Sequence, residues 1–304
     1  IIYLHHFLDG GTYFINNTDR GKECNMAGYK NPKPSVDDKM TKTAKDEVTE
    51  ISYEKYGSDY EHKKTVFFAF IDVLGFKKAF DDHREDESEG KVQDIKFADK
   101  FKEVFIYYFE LINASKLSLW ETTGCYAGQT SDSLYFYSPR EDLLIEYIQL
   151  FLHFNLFAMS KNVFFRGGIA KGNLFVKQPH QFYGESVIYS YLLESVISRF
   201  PIIVIDENTY AAIKNYPKTD LLIKKDKNDR YYLNIFAPLQ SEFFMDFRDE
   251  TFIPQKIDMD QVLKNITQNR KKFEYDAKNY EKYGFLIKEY EKYIKMMNIH
   301  SDIE

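Results

Sequence analysis

Two aspartates far apart in the chain each border an apolar run: Asp72 in "FFAFIDVLGF" (67–76) and Asp132 in "SDSLYFY" (131–137). A carboxylate among apolar neighbours is costly unless it is paired or bound to a metal. If the two runs are neighbouring strands, the carboxylates converge at one sheet edge and form a hard oxygen site. Such a site suits Mg2+ or Mn2+ carrying a nucleoside triphosphate. Two ions there would activate an attacking oxygen and neutralise a leaving phosphate. Directly after Asp72, Val73, Leu74, Gly75 and Phe76 make a glycine-marked bend into a helix start, where backbone N–H groups can hold phosphate oxygens. Arg166, in "FFRGGIAKGN" (164–173), lies within a strand beside two glycines that leave room for a ligand or a second backbone. Its guanidinium stays charged and can stabilise phosphate charge in a transition state. Taken singly, each residue also has a plainer use, as a strand-end or turn aspartate or a salt-bridged arginine.

These groups need elements to position them. Residues 1–62 are polar and irregular and read as an N-terminal extension; a core spans 63–238 and a helical C-terminal extension 239–304. Within the core, a strand at 65–73 is followed by a short helix near 75–82 and a charged loop at 81–90. A helix over 91–116 carries Phe97, Phe101, Val104, Phe105, Tyr108 and Leu111 at helical spacing. Strands at 117–128 and 132–138 share a short polar connection. Then come a buried helix at 141–160, a strand at 162–176, a helix at 185–198, and a strand at 201–210 opened by Pro201. A charged hairpin-like stretch ends in "RYYLNIF" (230–236), and the tail is helical over 258–297. A pair of consecutive strands inside an otherwise alternating series predicts an α+β fold with a mainly antiparallel sheet.

Composition narrows the classes. With 44% apolar and 29% charged residues the chain can bury a core, filled from 27 Phe and 24 Tyr against a single Trp. A formal net charge of −6 argues against general nucleic-acid affinity. Cys24 and Cys125, without a CxxC, fit a reducing compartment and offer no thiol metal site. The apolar stretch 143–159 is broken by Glu146, Gln149, His153 and Asn155, which predicts a core helix and not a membrane span. The N-terminal "IIYLHHFLDGG" lacks the positive lead of a signal peptide. The expectation is a cytoplasmic protein without a membrane segment.

In their order along the chain, these segments resemble a class III nucleotide cyclase domain, whose core is ferredoxin-like (βαββαβ). "FIDVLGF" (70–76) is similar to the strand bearing the family's first metal aspartate, and "SDSLYFY" to the turn bearing its second. "RGGIAKG" (166–172) is similar to the family's R-x-G-I-x-x-G strand, and "GESVIYSYLLE" (184–194) echoes its G-x-x-V-N-x-A-x-R-x-E helix. The resemblance implies two Mg2+ or Mn2+ ions held by Asp72, Asp132 and the Val73 carbonyl. It further implies phosphates on the amides of Leu74, Gly75 and Phe76, Arg166 on the α-phosphate, and a homodimer with sites at its interface. A basic residue of "IKKDKNDR" (223–230) would meet the triphosphate tail.

The departures concern the base and the transition state. The family's transition-state Asn and Arg fall on Ile188 and Leu192; its adenine-reading lysine falls on Gly128, beside Gln129, and the partnering aspartate on Gln181. A site built to hydrogen-bond one base edge rejects others strongly, so this loss argues against an ordinary adenylate cyclase. Gln129 and Gln181 become candidates for reading a pyrimidine edge. The chain is similar to the pyrimidine nucleotide cyclases of Pycsar anti-phage defence, which share "FIDVLGF", the "SDS" turn, "RGGIA" and "YGESVIYSYLLE". The resemblance implies cyclisation of UTP, with CTP as the alternative, and a separate effector that binds the cyclic nucleotide. An inactive nucleotide-binding module is a second reading. A diguanylate-cyclase-like palm is a third, although "GQTSDSLYF" (128–136) lacks that family's G-G-[DE]-E-F hairpin.

Overall fold

The computed structural model describes residues 61–76, 96–118, 120–178, 181–240 and 243–301; residues 1–60 of the expected extension 1–62, the helix beyond 76 and the loop 81–90 lie outside them, and residues 61 and 62 belong to the first strand. The strands are β1 (Glu61–Val73), β2 (Tyr126–Thr130), β3 (Ser133–Ser138), β4 (Phe165–Gln178), β5 (Gln181–Tyr183), β6 (Ile203–Ile205), β7 (Ile223–Lys225) and β8 (Tyr231–Leu233). The longer helices are α1 (Lys96–Ala114), α2 (Glu141–Ser160), α3 (Glu185–Leu192), α4 (Met259–Lys272) and α5 (Ala277–Ser301). One sheet has the order β2-β3-β1-β4-β6-β8-β7, with β5 on β4. Its first four strands are all antiparallel neighbours and, with α1 and α2 as crossovers, make the βαββαβ core of a ferredoxin-like fold. β6 then joins β4 in parallel, and β8 and β7 close the sheet antiparallel. The fold is α+β with a mainly antiparallel sheet, as the strand pattern predicts.

Period-2 alternation in β1 decides which face each residue serves. Phe67, Ala69, Ile71 and Val73 enter the main core with Val104, Tyr108 and Leu111 of α1 and Leu144, Ile148 and Phe151 of α2. The alternate positions Val66, Phe68 and Phe70 pack on the other face with Tyr135, Tyr137 and Val187. Each fully buried Val, Leu, Ile or Phe among them contributes about 1.5–3 kcal/mol of transfer free energy. Asp72 continues the second series, so its carboxylate projects on the α3 side.

Helix α2 is long and apolar enough to cross a membrane by composition, but 83% of its apolar window is buried inside the protein. Its polar interruption is absorbed: His153 Nε2 lies 2.9 Å from the Tyr107 hydroxyl, which also accepts the Gln255 amide. Burial holds His153 down at about 4, so the ring is neutral at ordinary pH.

Some expected boundaries differ. The predicted strand 117–128 begins as a 3-10 turn (Lys116–Ser118) and a helical turn (Trp120–Thr123), and pairing starts only at Tyr126. Ser115 Oγ accepts the Leu117 amide and caps that turn, and Gly124, at φ +66°, redirects the chain into β2. The strand opened by Pro201 stops at Ile205, because the Asp206 carboxylate accepts the Thr209 amide at 2.7 Å and starts the helical turn Glu207–Ile213. The helical tail is two helices, broken between Lys272 and Ala277. Both pack on a second apolar cluster with Phe164, Val204 and Tyr232 of the core, through Val262, Ile266, Tyr283 and Leu286.

Candidate active site

Register assembles the site. β1 lies between β3 and β4, and Asp72 pairs with Ser133 on one side and Arg166 on the other. Directly opposed residues of antiparallel strands project to the same face, so the three side chains form a row across the sheet. Ser133 Oγ donates to Asp72 Oδ1 at 3.0 Å, and Arg166 Nη2 stands 3.9 Å from Asp72 Oδ2. Asp132 arrives through the backbone: the β2–β3 turn, with Ser131 at φ +55°, lets the Asp132 carbonyl accept the Val73 amide at 3.2 Å. The predicted convergence of Asp72 and Asp132 at one rim is therefore present.

The electrostatics of this rim are unbalanced. Burial pushes the Asp72 carboxyl up to about 6, the nearby Asp132 charge adds to the rise, and the Ser133 bond and Arg166 only partly offset it. Asp72 and Arg166 keep 23% and 29% side-chain exposure, so the rim is open to a ligand. Among the described residues there is no group of three or more His, Cys, Asp or Glu placed to hold a metal ion. The donor set is therefore two carboxylates with backbone oxygen alongside. Oxygen-only donors, mutual repulsion and a cation no nearer than 3.9 Å fit Mg2+ or Mn2+, which would remove the repulsion.

Behind Arg166 stands a residue that the motif reading passed over. Glu194 closes "GESVIYSYLLE" and lies in a π-helical turn (Leu193–Ile197) that continues α3. Such turns insert one residue and re-aim side chains. The Glu194 side chain is 4% exposed, with Oε1 at 2.7 Å from Arg166 Nε. The contact is off-line for a hydrogen bond, and both atoms lack a well-aligned partner. Burial drives Glu194 up to about 7 against the pull of Arg166, with Asp72 and Asp132 adding to the rise. An acid ending an otherwise apolar helix segment is the signal that marks it in the sequence.

Several expected roles change. The Leu74 amide donates to the Phe164 carbonyl at 2.7 Å, so it is not available to a phosphate. Gly75 does supply the bend, at φ +78°, and Phe76 turns its ring edge-on to Phe101 at 5.1 Å. The glycines after Arg166 make room for backbone and not for a ligand. A Cβ on Gly168 would sit 2.3 Å from the Ser190 carbonyl of α3, and one on Gly167 would sit 2.5 Å from the Phe70 carbonyl.

Gln129 is opposed to Leu134 of the main core, so it faces away from Asp72; it donates to the Ser131 carbonyl and lines a shallow hollow with Phe105, Ile106 and Glu110 of α1. Gln181 pairs with Gln178 at the far end of β4, roughly 40 Å along the strand from Arg166 at ~3.3 Å per residue. Neither glutamine joins the carboxylates within one chain. At Gly128 the Tyr135 ring and hydroxyl fill the side-chain space, 2.5 Å from where a Cβ would be. In the basic hairpin, Lys224 is bound to Glu289, Lys225 to Asp229 and Arg230 to Asp226, so those cations are already engaged.

No protein-family model and no curated protein matches the chain. Solved structures do. The guanylyl cyclase domain of the RhoGC fusion protein from the aquatic fungus Blastocladiella emersonii is similar at 16% identity and TM-score 0.40, over 57% of this chain and 96% of that one. Adenylate cyclases from Trypanosoma brucei are similar at 14% identity and TM-score 0.40, over 62% and 95%. A bacterial light-regulated adenylyl cyclase is similar at 12% identity and TM-score 0.40, over 68% and 57%.

Proposed function

We propose that the chain is a nucleotide cyclase that converts UTP to 3′,5′-cyclic UMP and pyrophosphate, acting as a cytoplasmic homodimer. The observation that supports it most is the row Ser133–Asp72–Arg166, with Asp132 tied by its carbonyl to Val73. Asp72, Asp132 and the Val73 carbonyl are the groups that would hold Mg2+ or Mn2+, two per site. When bound, the ions supply Lewis acidity at the ribose 3′-hydroxyl and charge neutralisation at the departing pyrophosphate.

The protein's part is orientation and electrostatics. The two aspartates would seat the triphosphate at the rim through the cations they hold, with O3′ in line with the α-phosphorus. The O3′–P bond forms as the bond from that phosphorus to pyrophosphate breaks, and the hydroxyl proton passes to water. Arg166, with 29% of its side chain exposed and its guanidinium between Glu194 and Asp72, stabilises charge on the α-phosphate. The bend at Gly75 opens the phosphate side of the rim.

Base choice rests on what is missing. The position of the family's adenine-reading lysine is Gly128, and Tyr135 occupies its space, which disfavours an adenine-specific site. The motif resemblance points to a pyrimidine nucleotide, UTP ahead of CTP, and assigns the product to anti-phage signalling through a separate effector.

Incubation with each of the four ribonucleoside triphosphates and Mn2+, with products identified by mass, tests the reading. Cyclic UMP is expected from the wild type and is absent from Asp72→Ala and Asp132→Ala variants that keep the native circular dichroism. Turnover undiminished in both variants would overturn the site. The apolar Ile188 and Leu192, where the family has its transition-state Asn and Arg, favour a second reading as a nucleotide-binding module. Metal-dependent binding of UTP without any product would select it.

A further inference from the structure

The C-terminal helix reaches the rim of the site. Leu74, directly after the Asp72 strand end, is bonded through its amide to the Phe164 carbonyl. The Phe164 ring meets Tyr283 of α5 edge-on at 5.2 Å, and Leu74 packs in the same apolar cluster as Tyr283, Phe285 and Leu286. The turn of α5 around 282–286 thus walls the two strand ends that carry Asp72 and Arg166. Lys282 adjoins Tyr283 in that wall and is half-buried. None of the ion pairs among the described residues includes it.

Lys282 sits in a field that disfavours its charge. Burial lowers its pKa first, and the charges of Arg166 and Lys278 lower it further; Asp276 gives only a small return. Arg166 and Lys282 are thus neighbouring cations of which Glu194, at 2.7 Å, answers only the first, while Asp72 and Asp132 repel each other. A polyanion held jointly by metal ions and by basic side chains answers both imbalances. In the basic hairpin that the sequence offers for this task, Lys224, Lys225 and Arg230 are already bound to Glu289, Asp229 and Asp226.

We propose that Lys282 of α5 is a phosphate-binding residue, which receives the β- and γ-phosphates of the substrate at the Asp72 rim while Arg166 meets the α-phosphate. This deepens the nucleotide reading above and rests on it. The C-terminal helix is then part of the active site and not an appendage to it.

Inorganic tripolyphosphate with Mg2+ is the probe, titrated calorimetrically into the full chain and its variants. Lys282→Gln is expected to bind it roughly tenfold or more weakly, the loss of one charge-assisted contact, while Lys282→Arg retains most of the affinity. Lys278→Gln, on an exposed position one turn earlier, is expected to change affinity less than about twofold, which separates a contact from a general charge effect. In turnover assays Lys282→Gln raises KM for the triphosphate by more than it lowers kcat. Lys282→Met keeps the aliphatic stem and covers the case in which Gln disturbs the fold. Equal tripolyphosphate affinity in the wild type, Lys282→Gln and Lys282→Met overturns the role of Lys282 and leaves the nucleotide site standing. Absence of binding and of turnover in the wild type overturns the nucleotide reading, and Lys282 with it.

Discussion

Two buried glutamates, each 3% exposed, are treated in opposite ways by this fold. Glu289 of α5 is bound by Lys224 at 3.1 Å and Lys292 at 2.6 Å, with the Tyr232 hydroxyl at 3.4 Å. Burial works upward on it, yet these bonds hold its carboxyl below the usual range. Glu194 has one arginine, off-line and shared with Asp72, and it faces two further carboxylates, so it rises to about 7. A carboxylate that only fastens a helix to a sheet is given its counter-charges within the chain. Three carboxylates around one arginine are left short of positive charge, and the shortfall is what an incoming divalent cation supplies.

Removing the acids on either side of this contrast is expected to have very different readouts. Asp72→Asn should lower turnover by three orders of magnitude or more, about 4 kcal/mol of transition-state stabilisation, with little change in thermal stability. Glu289→Ala should do the reverse, costing about 1–3 kcal/mol of stability because the half-buried Lys224 and the Tyr232 hydroxyl lose their partner, as read by urea unfolding. Gly168→Ala should cost about 1–3 kcal/mol, since its Cβ forces α3 off β4, and should lower turnover with it by moving Glu194 and Arg166.

A further prediction concerns pH in the absence of metal. The folded-state values of Asp72 and Glu194, about 6 and about 7, lie above their ordinary values, so each group's contribution is present at low pH. It is lost as pH rises through the folded values. Between pH 5 and 8 the metal-free protein should lose stability by a margin that Glu194→Gln reduces. Mg2+ should stabilise it more at pH 8 than at pH 5, because protons compete with the ion for the same oxygens. A Mg2+ effect independent of pH would remove the charge-shortfall account.

Much of the site could be read before the coordinates. Strand alternation places Asp72 opposite the main-core face, and two apolar runs bordered by aspartates pair as neighbours with the acids at one rim. What could not be read depends on packing between distant segments. The Leu74 amide is consumed by Phe164, far away in sequence, and a Gly-rich strand looks the same whether a ligand or α3 fills the space. Gln129 seemed near the site by position, but a one-residue offset in β2 turns it to the other face. Glu194 and Lys282 lie on helices whose docking on the sheet no local spacing encodes.

The tie between the Val73 amide and the Asp132 carbonyl makes the gap between the two acids a property of main-chain geometry. Exchanging either aspartate for glutamate would then alter reach by a single carbon while the anchoring peptides stay in place. A ruler of that kind lets the spacing of the pocket be stepped deliberately, without redesigning the scaffold that carries it.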